Sequence, residues 1–240
     1  MQELSGLVFP TEIVLNYVKN NFELPFHLRL DSLPFAYYNQ PHPKLLSDKE
    51  ITITIPCTIA AQHRDYGSVL LAIKNIKNKL TKRVQLVLLG QPKGDGFKII
   101  TAFNTLEDEN IKIISFREVI PEEEYKDWLK ATDFLILPLK QYAKSHIYKE
   151  HLGYSKISGG VNDMIRFGIP ALISTHYPLD LVLEKMVQRY SSDQLADAIL
   201  LWVNQGQYLK YKAEIESILS GYSPVNMQMD FQQKIDRFLK

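Results

Sequence analysis

The chain is poor in the residues that would place it in a special class of protein. It has one cysteine, Cys57, among 240 residues, so it has no internal disulfide and is typical of a reducing compartment. No apolar run approaches the ~20 residues that span a membrane, and the first residues lack the pattern of a signal peptide. The formal net charge is +1, which gives no general attraction to nucleic acid or to an anionic membrane. We therefore expect a cytoplasmic, globular protein.

Several motifs that carry chemistry are also absent. The sequence contains no G-x-S-x-G, no P-loop and no G-x-G-x-x-G. None of the six histidines pairs with a cysteine or acidic residue at metal-ligand spacing. The sequence therefore predicts neither a metal site nor a bound cofactor.

The body of the chain alternates apolar strands with amphipathic helices. Short segments rich in β-branched and other apolar residues predict strands at residues 51–55, 84–89, 111–116, 133–137 and 171–174. Helical patterns separate them, and further helices fill the tail after residue 193. After the strand at residues 133–137 the sequence predicts a long polar and aromatic loop, which leads to the helix before residues 171–174. Strands that are apolar throughout indicate a parallel sheet covered on both faces. We expect a doubly wound, Rossmann-like α/β sheet with a helical C-terminal tail.

The first 48 residues follow a different pattern. Residues 4–9 suit a strand and residues 11–20 a helix, after which prolines crowd residues 24–44. We interpret residues 1–48 as the last strand and helix of a missing N-terminal domain, followed by a proline-rich linker. Residues 49–240 then form the Rossmann-like domain.

Residues 153–174 contain the most informative candidate site. Ser158, Gly159 and Gly160 fall where a helix begins, and small residues there leave backbone N–H groups open to a phosphate. Asp163, or Asn162 beside it, lies near enough along the helix to reach a ribose hydroxyl. The alternative is a plain helix–turn–strand, in which the small residues serve packing and Asp163 satisfies the helix N-terminus.

The order of these pieces resembles the C-terminal half of retaining GT-B-fold glycosyltransferases of the group 1 type. The resemblance covers about residues 50–205 and has four parts. A loop carrying Arg64 precedes the first helix, and the second strand ends in Gly90. Two longer segments complete it, IKIISFREVIPEEEYKDWLKATDFLILPL and DMIRFGIPALIS.

This resemblance implies a nucleotide-sugar-binding domain at residues 49–240. Such a domain is the donor-binding half of an enzyme that moves a sugar from a UDP- or GDP-type donor to a saccharide or lipid-linked acceptor, in surface glycan biosynthesis. A partner domain or subunit would supply the acceptor side and any peripheral contact with a membrane. The family is generally metal-independent, so basic residues and a helix dipole must stabilise the leaving diphosphate.

Within that resemblance, Arg64 and Lys156 are the candidate catalytic cations. Arg64 offers a fork for phosphate oxygens, and its alternative is an exposed ion pair with Asp65 or another acidic residue. Lys156 is otherwise an ordinary solvated lysine. Gln91, just past Gly90, would border the cleft at the carboxyl edge of the sheet, or stand in an ordinary turn.

Two departures from the family pattern favour a rival. The family pairs two acidic residues eight positions apart, but Ser155 stands eight residues before Asp163. Tyr66 and Gly67 stand where the family has lysine-glycine. The rival is a non-catalytic interaction or regulatory module that retains the fold, and an unrelated flavodoxin-like protein is a third possibility.

Overall fold

Buried aliphatic strands form the centre of the molecule. A computed structural model of the chain describes residues 6–39, 50–145 and 148–239. The strands are β1 (Gly6–Phe9), β2 (Arg29–Ser32), β3 (Glu50–Pro56), β4 (Arg83–Leu89), β5 (Ile111–Ser115), β6 (Phe134–Leu137), β7 (Tyr142–Ser145), β8 (Tyr148–His151), β9 (Ala171–Ser174) and β10 (Val187–Tyr190). The helices are α1 (Glu12–Asn21), α2 (Tyr66–Ile76), α3 (Gly96–Asn104), α4 (Glu122–Lys130), α5 (Gly159–Phe167), α6 (Leu195–Gln205), α7 (Tyr208–Leu219) and α8 (Pro224–Leu239).

Six of the strands form one parallel sheet in the order β10-β9-β6-β3-β4-β5. The chain winds outward from β3 through β4 to β5, then returns to the centre and winds the other way from β6. The direction of winding therefore reverses between β3 and β6, which is the arrangement of a doubly wound sheet. The predicted Rossmann-like fold and helical C-terminal tail are confirmed.

Each face of this sheet has its own apolar core. Alternate residues of one strand point to opposite faces, so Leu86 and Leu88 pack with α2, α3 and α6, while Val87 and Leu89 pack with α4 and α5. Trp202 of α6 is fully buried and contacts Phe134 edge-on, with ring centroids 4.9 Å apart. Burial on both faces explains why β6 and β9 lack the polar alternation of a half-exposed sheet.

The N-terminal segment forms a small separate β1–α1–β2 unit, in which β1 and β2 pair in parallel. Thr11 caps α1 by accepting a hydrogen bond from the Val14 N–H at 3.1 Å. Helix α8 packs against this unit, where Lys234 lies 3.7 Å from Asp31 and also contacts the Ser32 carbonyl. The proposed division of the chain at residue 48 lies outside the described residues.

Three elements differ from the sequence prediction. The stretch after β6, predicted as a loop, contains the antiparallel hairpin β7–β8. Strand β2 lies within the proline-rich region, and β10 adds an edge strand that was not predicted. Among the described residues, no helix has both the length and the apolar character to cross a membrane.

Candidate functional site

The carboxyl ends of β3 and β6 open onto a cavity of about 400 Å³. These two strands are the neighbours at which the winding of the sheet reverses, and ligands of open α/β sheets bind in the crevice at that point. The cavity is lined by Cys57, Thr58, Ala60, Gln62, His63, Arg64, Lys93, Leu139, Leu152, Lys156, Ile157, Ser158 and Gly159. Cations and small residues therefore share one concave surface.

The backbone at the floor of this cavity is strained. Cys57, directly after β3, has φ 76°, the left-handed region that residues other than glycine seldom adopt. Its carbonyl oxygen turns towards the end of β4, where a Cβ on Gly90 would lie 2.0 Å from it. Only glycine fits at residue 90. Strain of this kind is commonly found at functional sites.

A short ladder between two loops holds Arg64 in place. The Asp65 N–H donates to the Pro138 carbonyl at 2.7 Å, and the Lys140 N–H donates to the His63 carbonyl at 3.0 Å. Arg64, 8% exposed, faces the cavity and donates through Nη1 to the Thr58 carbonyl at 3.3 Å. The alternative ion pair with Asp65 is absent.

Asp65 has a structural role instead, because its carboxylate caps α2 by accepting the Ser68 N–H at 3.1 Å. The Arg64 guanidinium therefore keeps most of its donors for a ligand.

The start of α5 forms another wall of the cavity. Ser158 caps the helix by accepting the Gly160 N–H at 3.3 Å, and its own N–H donates to the Tyr177 hydroxyl at 2.9 Å. The Gly159 N–H has no acceptor among the described residues. Gly160 serves packing, since a Cβ there would lie 2.8 Å from Leu137. Of the three predicted small residues, Ser158 and Gly159 line the cavity.

Lys156 also lines the cavity, but its ammonium is engaged. Its Nζ lies 3.1 and 3.2 Å from the two carboxylate oxygens of Glu150, at the end of β8. Nε2 of His63 lies 3.2 Å from the same carboxylate. Burial alone would raise the pKa of Glu150, but the hydrogen bonds and charges of Lys156 and His63 bring it below its ordinary value. Glu150 is therefore ionised at neutral pH.

Asp163 is buried on the cavity side of α5, 7% exposed. Its Oδ2 accepts a hydrogen bond from the Tyr125 hydroxyl at 2.7 Å and lies 3.9 Å from the Cys57 thiol. Burial raises the pKa of Asp163 above its ordinary value, although Tyr125, Arg166 and Arg64 oppose the shift. Burial also raises the pKa of Cys57 to about 11. The carboxylate predicted to hold a ribose thus has partners within the protein.

Two predicted residues lie away from this cavity. Asn162 lines a separate space of about 40 Å³ between α5 and the N-terminal unit. Gln91 stands in the loop after β4, where its carbonyl accepts the Ile59 N–H at 3.0 Å. The structure therefore brings together Arg64, Lys156, Ser158 and Gly159, with Asp163 close behind them.

The sequence analysis missed Gln62 and Lys93, which line the cavity, and Glu150, which contacts His63 and Lys156 at its rim. Lys93 follows the strand that ends in Gly90, and its position at the carboxyl edge was a usable signal. Glu150 was hidden because its hairpin was predicted as a loop.

Beyond the Arg64–Leu139 ladder lies a second cavity, of about 310 Å³. Hydroxyl-bearing residues dominate its lining, which includes Ser68, Ser174, Thr175, Tyr190 and Ser192. Leu139 borders both cavities. Among the described residues, no cluster of three or more histidine, cysteine or acidic side chains is arranged to hold a metal ion.

No protein-family model matches the chain, and no curated protein matches its sequence. Solved structures do match it. The pneumococcal O-GlcNAc transferase GtfA, in complex with UDP and GlcNAc, has a TM-score of 0.63 at 10% identity, over 98% of this chain and 45% of its own. The lipopolysaccharide outer core galactosyltransferase WaaB has a TM-score of 0.60 at 9% identity, over 96% of this chain and 61% of its own.

The N-terminal domain of trehalose-6-phosphate phosphatase from Candida albicans has a TM-score of 0.62 at 12% identity, over 98% of this chain and 58% of its own. At such low identity the likeness shows the fold alone. The chain has a GT-B glycosyltransferase-like fold, as its sequence pattern predicts, and it spans about half the length of these structures.

Proposed function

We propose that the chain is the donor-binding half of a glycosyltransferase and binds a UDP- or GDP-type nucleotide sugar in the cavity between β3 and β6. The observation that carries this proposal is Arg64. Its guanidinium is buried at the switch point of the sheet and faces the cavity, and among the residues that the structure describes it forms no ion pair with a carboxylate. A buried cation that lacks an ion pair favours an anionic ligand, because burying an unpaired charge is costly.

The surrounding groups suit a diphosphate. The Gly159 N–H lies at the positive end of the α5 dipole, and Lys93 and Lys156 add charge on other sides. In sugar transfer the bond to the leaving diphosphate breaks and negative charge grows on its oxygens. Fixed donors that meet this charge lower the barrier. We assign that role to Arg64 and Lys156, with Ser158 and Gly159 holding the diphosphate.

The solved structures support the ligand class and the need for a second half. One of them is in complex with UDP and GlcNAc, and all three are longer than this chain. We infer that the acceptor, a saccharide or a lipid-linked glycan, is bound by a further domain or subunit, which would also provide any peripheral contact with a membrane. On this proposal the chain acts in the cytoplasm in surface glycan assembly, and alone it binds donor with little turnover.

A non-catalytic module is the second candidate, and three contacts favour it. Asp163 is engaged by Tyr125, and Lys156 by Glu150. Ser155, where the family has an acid, accepts the His151 N–H at 2.9 Å. In this alternative the fold persists and its polar groups stabilise one another.

Calorimetric titration of the full chain with UDP and GDP distinguishes the two candidates. We expect saturable binding, weakened about 10- to 100-fold in Arg64→Ala, the usual cost of losing a charge-assisted bidentate contact. Arg64→Lys, which keeps the charge but loses the fork, should fall between. The matched control is Arg83→Ala, an exposed arginine at the start of β4 on the opposite edge of the sheet. A wild-type chain that binds neither nucleotide would point to the non-catalytic module.

A further inference from the structure

The cluster of His63, Glu150 and Lys156 joins three separate parts of the chain at the rim of the cavity. His63 lies in the loop after β3, Glu150 at the end of β8 and Lys156 in the loop before α5. Three contacts of 3.1–3.2 Å link the Glu150 carboxylate to the two basic side chains. Glu150 is the most enclosed of the three, with its side chain 19% exposed.

The two basic residues line the cavity, and the carboxylate lies beside it. The ammonium of Lys156 is drawn to Glu150, although its chain is long enough to turn inward. A phosphate group in the cavity would compete with Glu150 for the same N–H donors. It would also lie close enough to feel the negative charge of Glu150, because partly buried charges are poorly screened.

We propose that Glu150 is an internal counter-anion, which competes with the phosphates of the bound nucleotide for Lys156 and His63. This inference rests on the proposed function and adds a role to it. By competing, Glu150 limits how tightly the cavity retains the nucleoside diphosphate that remains after sugar transfer. Release of that product limits the rate of many enzymes, so a built-in competitor favours turnover.

The substitution Glu150→Gln tests the effect of the negative charge of residue 150 separately from the effect of its shape. It retains the size of the side chain and one oxygen acceptor but removes the negative charge. We expect Glu150→Gln to bind UDP about three- to tenfold more tightly than the wild type, the range expected for removing one like charge near the ligand. A purely structural role predicts the reverse, because loss of a supporting contact would loosen the site.

The matched control is Glu109→Gln, which makes the same charge change at an exposed position just before β5, at the amino edge of the sheet. Its affinity for UDP should equal that of the wild type. A second test measures coupling. In a Lys156→Met background, Glu150→Gln should increase the affinity by a smaller factor than in the wild type, because the competition for the ammonium is gone while the competition for His63 and the charge repulsion remain.

Calorimetry with UDP on the full chain, at low salt and after thermal unfolding has confirmed each fold, separates the outcomes. Tighter binding by Glu150→Gln supports the counter-anion, including the case in which only this variant shows measurable binding. Equal or weaker binding by Glu150→Gln, with a wild type that binds UDP, overturns the counter-anion and leaves the proposed function intact. If neither the wild type nor either glutamine variant binds UDP, the proposed function is wrong and the counter-anion role is wrong with it.

Discussion

The two ends of the β3–β6 strand pair carry the same kinds of polar residue in different settings. At the amino end, Asp133, 1% exposed, accepts the Thr52 N–H at 2.8 Å, and the hydroxyls of Thr54 and Thr132 lie 2.6 Å apart. At the carboxyl end, Asp163 is held by a phenol and a thiol. The first carboxylate is fixed by backbone, and the second by side chains that can turn away.

This contrast shows how one strand pair can stabilise the fold and present a site. Backbone donors cannot move without breaking the sheet, so the amino end contributes to stability. Side-chain donors can exchange one partner for another, and the backbone beside them, at Cys57, is already strained. Polar burial at the carboxyl end therefore costs stability that the rest of the molecule must offset.

The largest effect is expected from Gly90→Ala. The added Cβ would meet the Cys57 carbonyl oxygen at 2.0 Å, and this contact with backbone can be relieved only by moving the main chain. We expect the free energy of unfolding to fall by about 4 kcal/mol or more, among the largest effects of single substitutions. Urea unfolding followed by circular dichroism measures it. Gly221→Ala is the control, because nothing lies within 4 Å of a Cβ there. Equal stability of the two variants would contradict the close approach at the carboxyl end.

Asp133→Asn should have the next largest effect on stability, and it tests the amino end of the β3–β6 strand pair. The substitution keeps the shape of the side chain but turns a charge-assisted hydrogen bond to Thr52 into a neutral one. We expect a loss of about 1–2 kcal/mol in the free energy of unfolding. UDP affinity of the folded chain should stay unchanged, since Asp133 lies at the far edge of the sheet. Weakened UDP binding by a stable Asp133→Asn chain would contradict the assignment of stability to the amino end and of ligand binding to the carboxyl end.

Asp163→Asn should raise the free energy of unfolding rather than lower it. Because burial raises the pKa of Asp163 in the folded state, ionisation of this carboxyl destabilises the fold as pH rises from the unfolded value of about 3.9 through the folded pKa. The asparagine variant avoids that loss. We expect it to match the wild type near pH 3 and to gain about 0.5–2 kcal/mol at pH 7, a gain typical of relieving a strained functional position. Unfolding in urea at several pH values measures the difference; a variant less stable than the wild type at pH 7 would contradict the sign.

The last prediction concerns the reactivity of the Cys57 thiol and involves no change in stability. With burial raising its pKa to about 11, little thiolate exists at pH 8. Alkylation by iodoacetamide should be about 100-fold slower in the native chain than in the urea-unfolded chain, whose thiol has an ordinary pKa of about 8.5. The rate of thiol loss measures this difference. Similar rates in the two states would show that the floor of the cavity is open rather than enclosed.

The sequence specified the central strands well, because burial on both faces leaves an unbroken apolar run such as residues 134–137. It failed where pairing is decided at a distance. The β10 segment, Val-Gln-Arg-Tyr, has no strong local signal and gains its strand geometry from β9. The hairpin β7–β8 is local, but its strands are too polar to form an apolar run that predicts them.

The site could be predicted in part. Arg64, Ser158 and Gly159 were recognisable because they follow a strand or open a helix at the carboxyl edge, where topology alone gathers residues. Asn162 and Asp163 are neighbours in sequence but point to different sides of α5. Which side faces the cavity depends on how α5 is rotated against the sheet, and that follows from packing at Gly160 and Leu137.

The ladder between the Arg64 and Leu139 loops also has a practical consequence for inhibitor design. The ladder separates the two cavities, and two backbone hydrogen bonds join its two loops. Leu139 lines both cavities, so a compound that joins fragments bound in each would have to pass this residue and the main-chain hydrogen bonds beside it.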